Sequence, residues 1–418
     1  MQSVNSKIAS VQGLEIIDSR GNPTVKATVT LECGAKGSAS VPSGASTGVH
    51  EAHELRDGDR ERYGGKGVRQ AVGNVNTALA EAVTGLDATD QQGVDSAMMD
   101  ADGSRNKLNM GANAILAVSL ATARAAANAR GEELYRYLAK GKPTKLPVPM
   151  MNILNGGAHA TNNVDIQEFM IMPKGAPDFT EGMRWCSEIY HTLGAILKKR
   201  GLSTGVGDEG GFAPSLNDDR QALDLILEAV QSSGFTPGKD IFFAIDAAAS
   251  EWLMEGGAYM LPKSGKIYTP VELISFWEDL TDSYPLFSLE DGVAEDDWQS
   301  WKLITQRLGN RLQLVGDDLF VTNVKRLSRG IEEHAANAIL IKPNQIGTLS
   351  QTLETVEMAQ QAHMGVVLSH RSGETEDSFI ADIAVATACG QIKAGAPCRS
   401  DRVAKYNRLL EIAAQQLN

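Results

Sequence analysis

Asp246, Glu290 and Asp317 each stand directly after a short apolar run, and Lys342, His370 and Lys393 do the same further along the chain. If one fold gathers those positions, three carboxylates repel each other unless a positive charge neutralises them. A hard divalent cation with oxygen ligands and several retained waters answers that need, and Mg2+ fits best. An ammonium ion at a buried strand end needs its own reason. It binds an anion, or a neighbouring cation lowers its pKa so that it can serve as a base. The plainer reading, in which each carboxylate caps a helix or pairs with a lysine, fits any one of them better than three at regular spacing. Ser369-His-Arg-Ser-Gly-Glu-Thr-Glu-Asp377 sets Arg371 and Ser372 at a strand-to-helix junction. A guanidinium beside helix N–H groups makes a cradle for phosphate or carboxylate, although the segment alone also reads as a capped helix start. Gly207-Asp-Glu-Gly-Gly-Phe212 holds Glu209 between glycines that permit close approach, so this acid and a lysine across the site would form an acid/base pair. His159, Gln167 and Glu168 add polar groups of the same kind.

Other chemistries fail on spacing. His50-Glu51-Ala52-His53 separates its histidines by three residues, which excludes the zinc helix H-E-x-x-H. Gly64-Gly-Lys66-Gly lacks the upstream glycine and the hydroxyl of a phosphate loop. Neither a G-x-S-x-G elbow nor a dinucleotide-binding glycine fingerprint opens a helix after a strand.

The elements that must carry these residues have a regular rhythm. Ile241-Phe-Phe-Ala-Ile leads into Asp246, Leu286-Phe-Ser-Leu into Glu290, Leu312-Gln-Leu-Val-Gly into Asp317, and Ala338-Ile-Leu-Ile into Lys342. Val366-Val-Leu-Ser leads into His370 and Gln391-Ile into Lys393, with helical stretches such as Asp219 to Val230 and Thr348 to His363 between runs. Steps from Glu290 to Asp317, Lys342, His370 and Lys393 are 27, 25, 28 and 23 residues, the length of one βα unit. Residues 141–418 suit a (β/α)8-type barrel, whose strand C-termini converge on one mouth. An open doubly wound sheet shares the rhythm but would string the same residues along a line. The first 140 residues read differently, as a smaller α+β domain. Val25, Ala27, Val29 and Leu31 alternate with polar neighbours as a half-buried strand, and the turn Gly21-Asn22-Pro23 pairs it with Lys7 to Ile17. Val68, Val72, Val75, Leu79 and Val83 keep helical spacing. A small-residue loop spans Val41 to Gly48, and the proline-dense stretch from Lys142 to Pro149 reads as the connector into the barrel.

Composition bounds the rest. With 39 basic and 52 acidic residues in 418, the net charge is −13, a poor basis for binding nucleic acid. It also means that an anionic substrate must be held by local positive charge against the global field. Four cysteines without a C-x-x-C pair argue against a disulfide framework and for the cytoplasm. The N-terminus lacks a signal-peptide core, and the Ala-rich run from Gly111 to Arg130 carries too many polar residues to span a membrane, so it reads as a buried helix.

Together these segments resemble the enolase family. The resemblance is carried by Asp18-Ser-Arg-Gly-Asn-Pro-Thr24, Pro42-Ser-Gly-Ala-Ser-Thr-Gly48, Leu154-Asn-Gly-Gly157 with Gln167-Glu-Phe169, and Gly207-Asp-Glu-Gly-Gly-Phe212. Leu289-Glu-Asp291, Gly316-Asp-Asp318, Leu340-Ile-Lys-Pro-Asn-Gln-Ile-Gly347 and the segment from Ser369 to Asp377 complete it. It implies a glycolytic lyase that reversibly dehydrates 2-phosphoglycerate to phosphoenolpyruvate. In that light Asp246, Glu290 and Asp317 are expected to hold one Mg2+, and Ser46 to help hold a second that arrives with substrate. Lys342 is expected to be the base and Glu209 the acid, supported by Glu168, Gln167 and His159. Arg371 and Ser372, with His370 beside them, are expected around the phosphate, and Lys393 at the substrate carboxylate. The resemblance further implies a homo-oligomer, a dimer or an octamer. It also implies a barrel that begins irregularly, with an early antiparallel strand near Met151 to Arg200. Two other readings are a sibling barrel enzyme, a racemase or cycloisomerase, and a binding or structural protein that kept the fold. The arginine–serine cradle argues against the first, and the complete set of catalytic residues against the second.

Overall fold

A computed structural model describes residues 5–44 and 48–416. Ser46 therefore lies outside the described residues. The chain opens with β1 (Ile8–Ile17), β2 (Pro23–Leu31) and β3 (Lys36–Ser40), an antiparallel sheet in that order. Val25, Ala27, Val29 and Leu31 are buried, as their alternation requires. Helices α1 (Arg69–Asn74) and α2 (Ala80–Val83) are joined by one π turn, so the valine-and-leucine stripe lies on a nearly continuous rod. They are followed by α3 (Gln91–Asp102), α4 (Ala112–Arg130) and α5 (Leu134–Ala139). The Ala-rich run from Gly111 to Arg130 is indeed a buried helix, and small side chains let it lie close on β2 and β3. At Gly37 the fit is absolute. A Cβ there would lie 2.2 Å from the backbone nitrogen of Ala125 and 2.3 Å from the carbonyl oxygen of Ala121.

An extended connector then leads into the strands β4 (Val148–Asn155), β5 (Glu168–Met172) and β6 (Phe242–Asp246), with α6 (Phe179–Lys199) and α7 (Asp219–Ser232) between the last two. A two-strand hairpin, β7 (Tyr259–Met260) and β8 (Ile267–Tyr268), interrupts the barrel, and regular alternation follows it. The order is α8 (Pro270–Ser283), β9 (Leu286–Glu290), α9 (Trp298–Leu308), β10 (Gln313–Gly316), α10 (Val324–Glu333) and β11 (Ala338–Ile341). The short α11 (Pro343–Ile346), α12 (Leu349–Gln361), β12 (Gly365–Ser369), α13 (Phe379–Ala386), β13 (Gly390–Lys393) and α14 (Ser400–Gln416) complete the chain. Helix starts follow local chemistry. Asp178, Asp218, Asp297 and Thr348 accept from backbone N–H groups of the first turn, and Thr269 with Glu272 forms a reciprocal capping box before α8.

Eight strands close into a barrel in the order β10, β11, β12, β13, β4, β5, β6, β9. All neighbours are parallel except at β5, which runs antiparallel to both β4 and β6. This is the irregular start anticipated near Met151, and it has a consequence for the site. The N-terminal residue of β5, Glu168, sits at the mouth where the other strands end, opposite Asp246 in register. Met150, Met170, Met172, Val315, Leu340 and Val367 fill the barrel interior as a dry plug, so the mouth has a solid floor. The sheet-and-helix unit is tied to that mouth. Ser43 and Gly373 exchange two backbone hydrogen bonds of 2.8 and 2.9 Å, and Arg124 grips Asp377 with two nitrogens at 2.6 and 2.7 Å.

Candidate active site

The ring order fixes which side chains meet. Asp246 ends β6, Glu290 ends β9 and Asp317 follows β10, so the three carboxylates stand on consecutive strands. Glu168 opens β5 on one flank of this arc, and Lys342 follows β11 on the other. β5 and β11 lie four strands apart on an eight-strand ring, so Glu168 and Lys342 come from opposite walls. His370 follows β12 and Lys393 ends β13, closing the circle.

Lys393 is buried, and its ammonium donates to Asp246 Oδ2 at 2.9 Å and to Glu290 Oε2 at 2.9 Å, with Glu168 Oε1 at 3.2 Å. Burial works against that charge, but the carboxylates of Asp246, Glu168 and Glu290 outweigh it and hold the lysine well above its ordinary pKa. Burial, then the charge of Glu209, pushes Glu168 well up; burial, then that of Asp246, does the same to Glu290. Lys342 pairs with Asp317 Oδ2. Burial opposes both charges there and the pairing prevails, so Lys342 sits above its ordinary value and Asp317 below.

Asp317 is held from behind. Gln345 donates to its Oδ1 at 2.8 Å, Thr322 Oγ1 donates to Gln345 at 2.8 Å, and the Lys342 backbone N–H donates to that hydroxyl at 2.8 Å. Asp291, next to Glu290, has a left-handed φ of +43° that turns its side chain back on the chain. Its two oxygens accept the backbone N–H groups of Asp317 and Asp318 at 3.0 and 2.9 Å.

A second cluster faces these lysines. Asn152 donates to Glu209 Oε2 at 3.0 Å, and His370 Nε2 lies 3.4 Å from the same oxygen. His159 Nδ1 is 3.6 Å from Glu168 and 3.7 Å from Glu209. Burial alone would raise the Glu209 pKa, but the surrounding histidines and Arg402 hold it well below the usual carboxylate range. Burial drives His159 down, and His370 to about 3. The loop bearing His159 is held by Lys263, before β8, whose ammonium donates to the carbonyls of Gly157 at 2.8 Å and Ala160 at 3.1 Å. Arg371 is buried, and its guanidinium donates to Glu51 at 2.8 and 3.1 Å and to Asn344 Oδ1 at 3.2 Å.

Of the expected site residues that are described, all but Glu290 line one cleft of about 430 Å3, and Glu290 lies against Lys393 at its edge. Two family models match this chain: the enolase N-terminal domain over residues 8–138 and the enolase C-terminal TIM barrel domain over residues 143–417. The chain belongs to the enolase family. It is a lyase of the enolase type, with a small-molecule substrate, and no helix among the described residues is long and apolar enough to cross a membrane.

The donor set of the cleft fits a divalent metal ion. Glu168, Glu209, Asp246, Glu290, Asp317 and Asp318 bring six carboxyl groups to the cleft and its edge against Lys342, Lys393 and Arg371, and burial with mutual repulsion pushes Glu168, Glu290 and Asp318 toward the protonated form. Oxygens from Asp291, Asp317 and Asp318 come within 4.8 Å of one another, as do ligand atoms of His159, Glu168 and Glu209. Gln167 Oε1 and Glu168 Oε2 are buried without a hydrogen-bond partner among the described residues, the condition of oxygens that await a ligand. Each oxygen of Asp291 already accepts one backbone N–H, which leaves each a single lone pair for a further partner. Sequence reasoning named no role for Asp291, Asp318, Gln345, Asn152, Glu51 or Arg402. The first three sit inside quoted motifs, so adjacency to Glu290, Asp317 and Lys342 was the available signal. Arg402, within α14, offered none.

Proposed function

We propose that the chain reversibly dehydrates 2-phosphoglycerate to phosphoenolpyruvate, with Lys342 taking the proton beside the carboxylate and Glu209 assisting departure of the hydroxyl. The observation that carries this reading is the ring order: a lysine on β11 faces a glutamate pair from the opposite wall, across an arc of three carboxylates. A base and an acid on opposite faces of a three-carbon substrate suit removal of a proton and a hydroxyl from opposite sides of one C–C bond.

A proton beside a carboxylate is very weakly acidic, and its removal places a second negative charge on that carboxylate. Lys393, held among Asp246, Glu290 and Glu168, lies where its ammonium can meet that growing charge. Asp246, Glu290 and Asp317 would hold Mg2+, and Ser46 would contribute to a second Mg2+ that arrives with substrate. Bound there, the metal would supply positive charge to the substrate carboxylate. Asp317 is the charge that now favours protonated Lys342, so engaging Asp317 elsewhere would move Lys342 toward the neutral form that a base needs. Arg371 and Ser372 would bind the phosphate, and Gln167, His159 and His370 would orient the hydroxyl end. Burial and the charge of Glu209 raise Glu168, while His370, His159 and Arg402 lower Glu209 against burial, so of the two Glu168 binds a proton more tightly.

Residues 1–140 then act as a capping domain and 141–418 as the catalytic barrel of a cytoplasmic homo-oligomer, a dimer or an octamer. Against a whole-chain net charge of −13, the positive charge that an anionic substrate needs would come locally, from Lys342, Lys393, Arg371 and the Mg2+ that the acids would hold. Addition of 2-phosphoglycerate to the protein with saturating Mg2+ is expected to produce the ultraviolet absorbance of the conjugated enol phosphate. Folded protein that gives no such signal rules the assignment out.

A further inference from the structure

We propose that Arg402 locks His370 into the tautomer with its proton on Nε2, making it a permanently neutral hydrogen-bond donor toward Glu209 and the departing hydroxyl rather than an acid or base. Arg402 projects from α14 and is completely buried. Its Nη1 lies 2.6 Å from His370 Nδ1 and donates to the Arg371 carbonyl at 2.5 Å. Its Nη2 donates to the carbonyls of Ser372 at 2.5 Å and Asp208 at 3.1 Å, and Asp401 Oδ2 faces its Nε at 2.8 Å.

A guanidinium carries only donors and stays charged at any pH the protein meets. Contact at 2.6 Å therefore requires a lone pair on Nδ1, which leaves the imidazole proton on Nε2. Ring orientation is fixed twice over. Rotating the ring by half a turn would set carbon against both Arg402 and Glu209, losing the two contacts together. Nε2 then faces Glu209 Oε2 at 3.4 Å, long for a hydrogen bond, and keeps capacity for a second oxygen in the cleft.

The charged groups facing His370 agree with this assignment. Burial, Arg402 of α14 and Lys393 of β13 disfavour a second proton on the ring, and Glu209 of the 207–212 loop favours one. A protonated ring would also set Nδ1–H against the Arg402 donor. The same arginine holds the carbonyls of Asp208, Arg371 and Ser372, so one buried side chain positions the loop of the acid and the anion cradle together. Arg402 is thus a positioning residue acting through His370. This role rests on the reading of Glu209 as the acid.

Long-range proton–nitrogen spectra of the full-length protein labelled with 15N-histidine test the tautomer without substrate. The His370 signals are assigned by their loss in His370→Gln. The expected result is an Nε2–H tautomer that does not titrate between about pH 5.5 and 9, the window in which an ordinary histidine changes charge. An Nδ1–H tautomer, or titration in that window, overturns the proposal. Arg402→Met is expected to lower kcat at least about tenfold and to add an ionisation between about pH 5 and 8 to its pH profile. Arg402→Lys keeps a permanent donor and is expected to lose less activity with no new ionisation. A Met variant with the pH profile of the parent protein overturns the positioning role. If the Met variant does not fold, the spectrum of the parent protein still decides the tautomer. A parent protein that shows the expected tautomer but does not turn over 2-phosphoglycerate refutes the functional reading and leaves the tautomer standing.

Discussion

Asp219 offers a measurement of how the barrel supports its own site. It is buried in the first turn of α7, where one oxygen, Oδ1, accepts the backbone N–H groups of Asp165 and Ile166 at 2.9 and 3.0 Å. Those residues lead directly into Gln167 and Glu168. Burial pushes its carboxyl from 3.8 up to about 6, against the two backbone hydrogen bonds, and the neighbouring Asp165 charge adds to the rise. A folded-state pKa above the unfolded one means that the folded chain binds the proton more tightly. The ionisation therefore costs nothing below about pH 4 and its full penalty is present above pH 6. At 1.36 kcal/mol per pKa unit the penalty is about 3 kcal/mol. Asp219→Asn keeps an oxygen for both N–H groups and never ionises, so its advantage should be absent near pH 4 and grow through pH 6. With an unfolding entropy of roughly 2 cal/mol/K per residue, about 3 kcal/mol corresponds to a Tm difference of ~3.5 °C for a chain of this length. Thermal unfolding of both proteins at about pH 4.5 and 7.5 reads this directly. A Tm difference that does not change with pH, or an Asn variant less stable at the higher pH, refutes the reasoning.

Two further outcomes are expected at the site. Gln345→Leu removes the donor that orients Asp317 Oδ1 and should weaken Mg2+ binding roughly 10- to 100-fold by calorimetry, with the far-ultraviolet spectrum unchanged. Mg2+ affinity equal to that of the parent protein would show that Gln345 does not orient the ligand. Lys263→Met frees the carbonyls of Gly157 and Ala160 and should speed proteolysis in the 157–164 loop while lowering kcat/KM about tenfold or more. Unchanged proteolysis would mean that the loop holds itself in place.

How much of this was legible in the sequence depended on direction. Asp246, Glu290, Asp317, Lys342, His370 and Lys393 could be read as one set because each stands at the C-terminal end of a parallel strand, where the barrel mouth lies. Glu168 breaks that rule because β5 runs the other way, so its polar residue precedes the apolar run. Only the resemblance gave it a role. Glu290 and Asp291 are adjacent acids that periodicity cannot separate; the structure gives them different partners, Lys393 for Glu290 and the backbone N–H groups of Asp317 and Asp318 for Asp291. Glu51 sat in a stretch tested for zinc and rejected, and its actual partner is Arg371, 320 residues away. Arg402 lies in a helix pattern that suggests an ordinary charged face, and only tertiary packing places it behind His370. Ion pairs over such sequence separations leave no local trace.

The proposed reaction opens at Lys342, the base that takes the proton beside the carboxylate. Exchange of the C2 proton of 2-phosphoglycerate with solvent deuterium, followed by NMR in saturating Mg2+, isolates that step from loss of hydroxide. The parent protein should exchange it, and Lys342→Ala should not, although the variant keeps Asp246, Glu290 and Asp317 and binds Mg2+ nearly as well. Exchange at the parent rate in Lys342→Ala would contradict the assignment of the base, and no exchange in the parent protein would contradict the reaction itself.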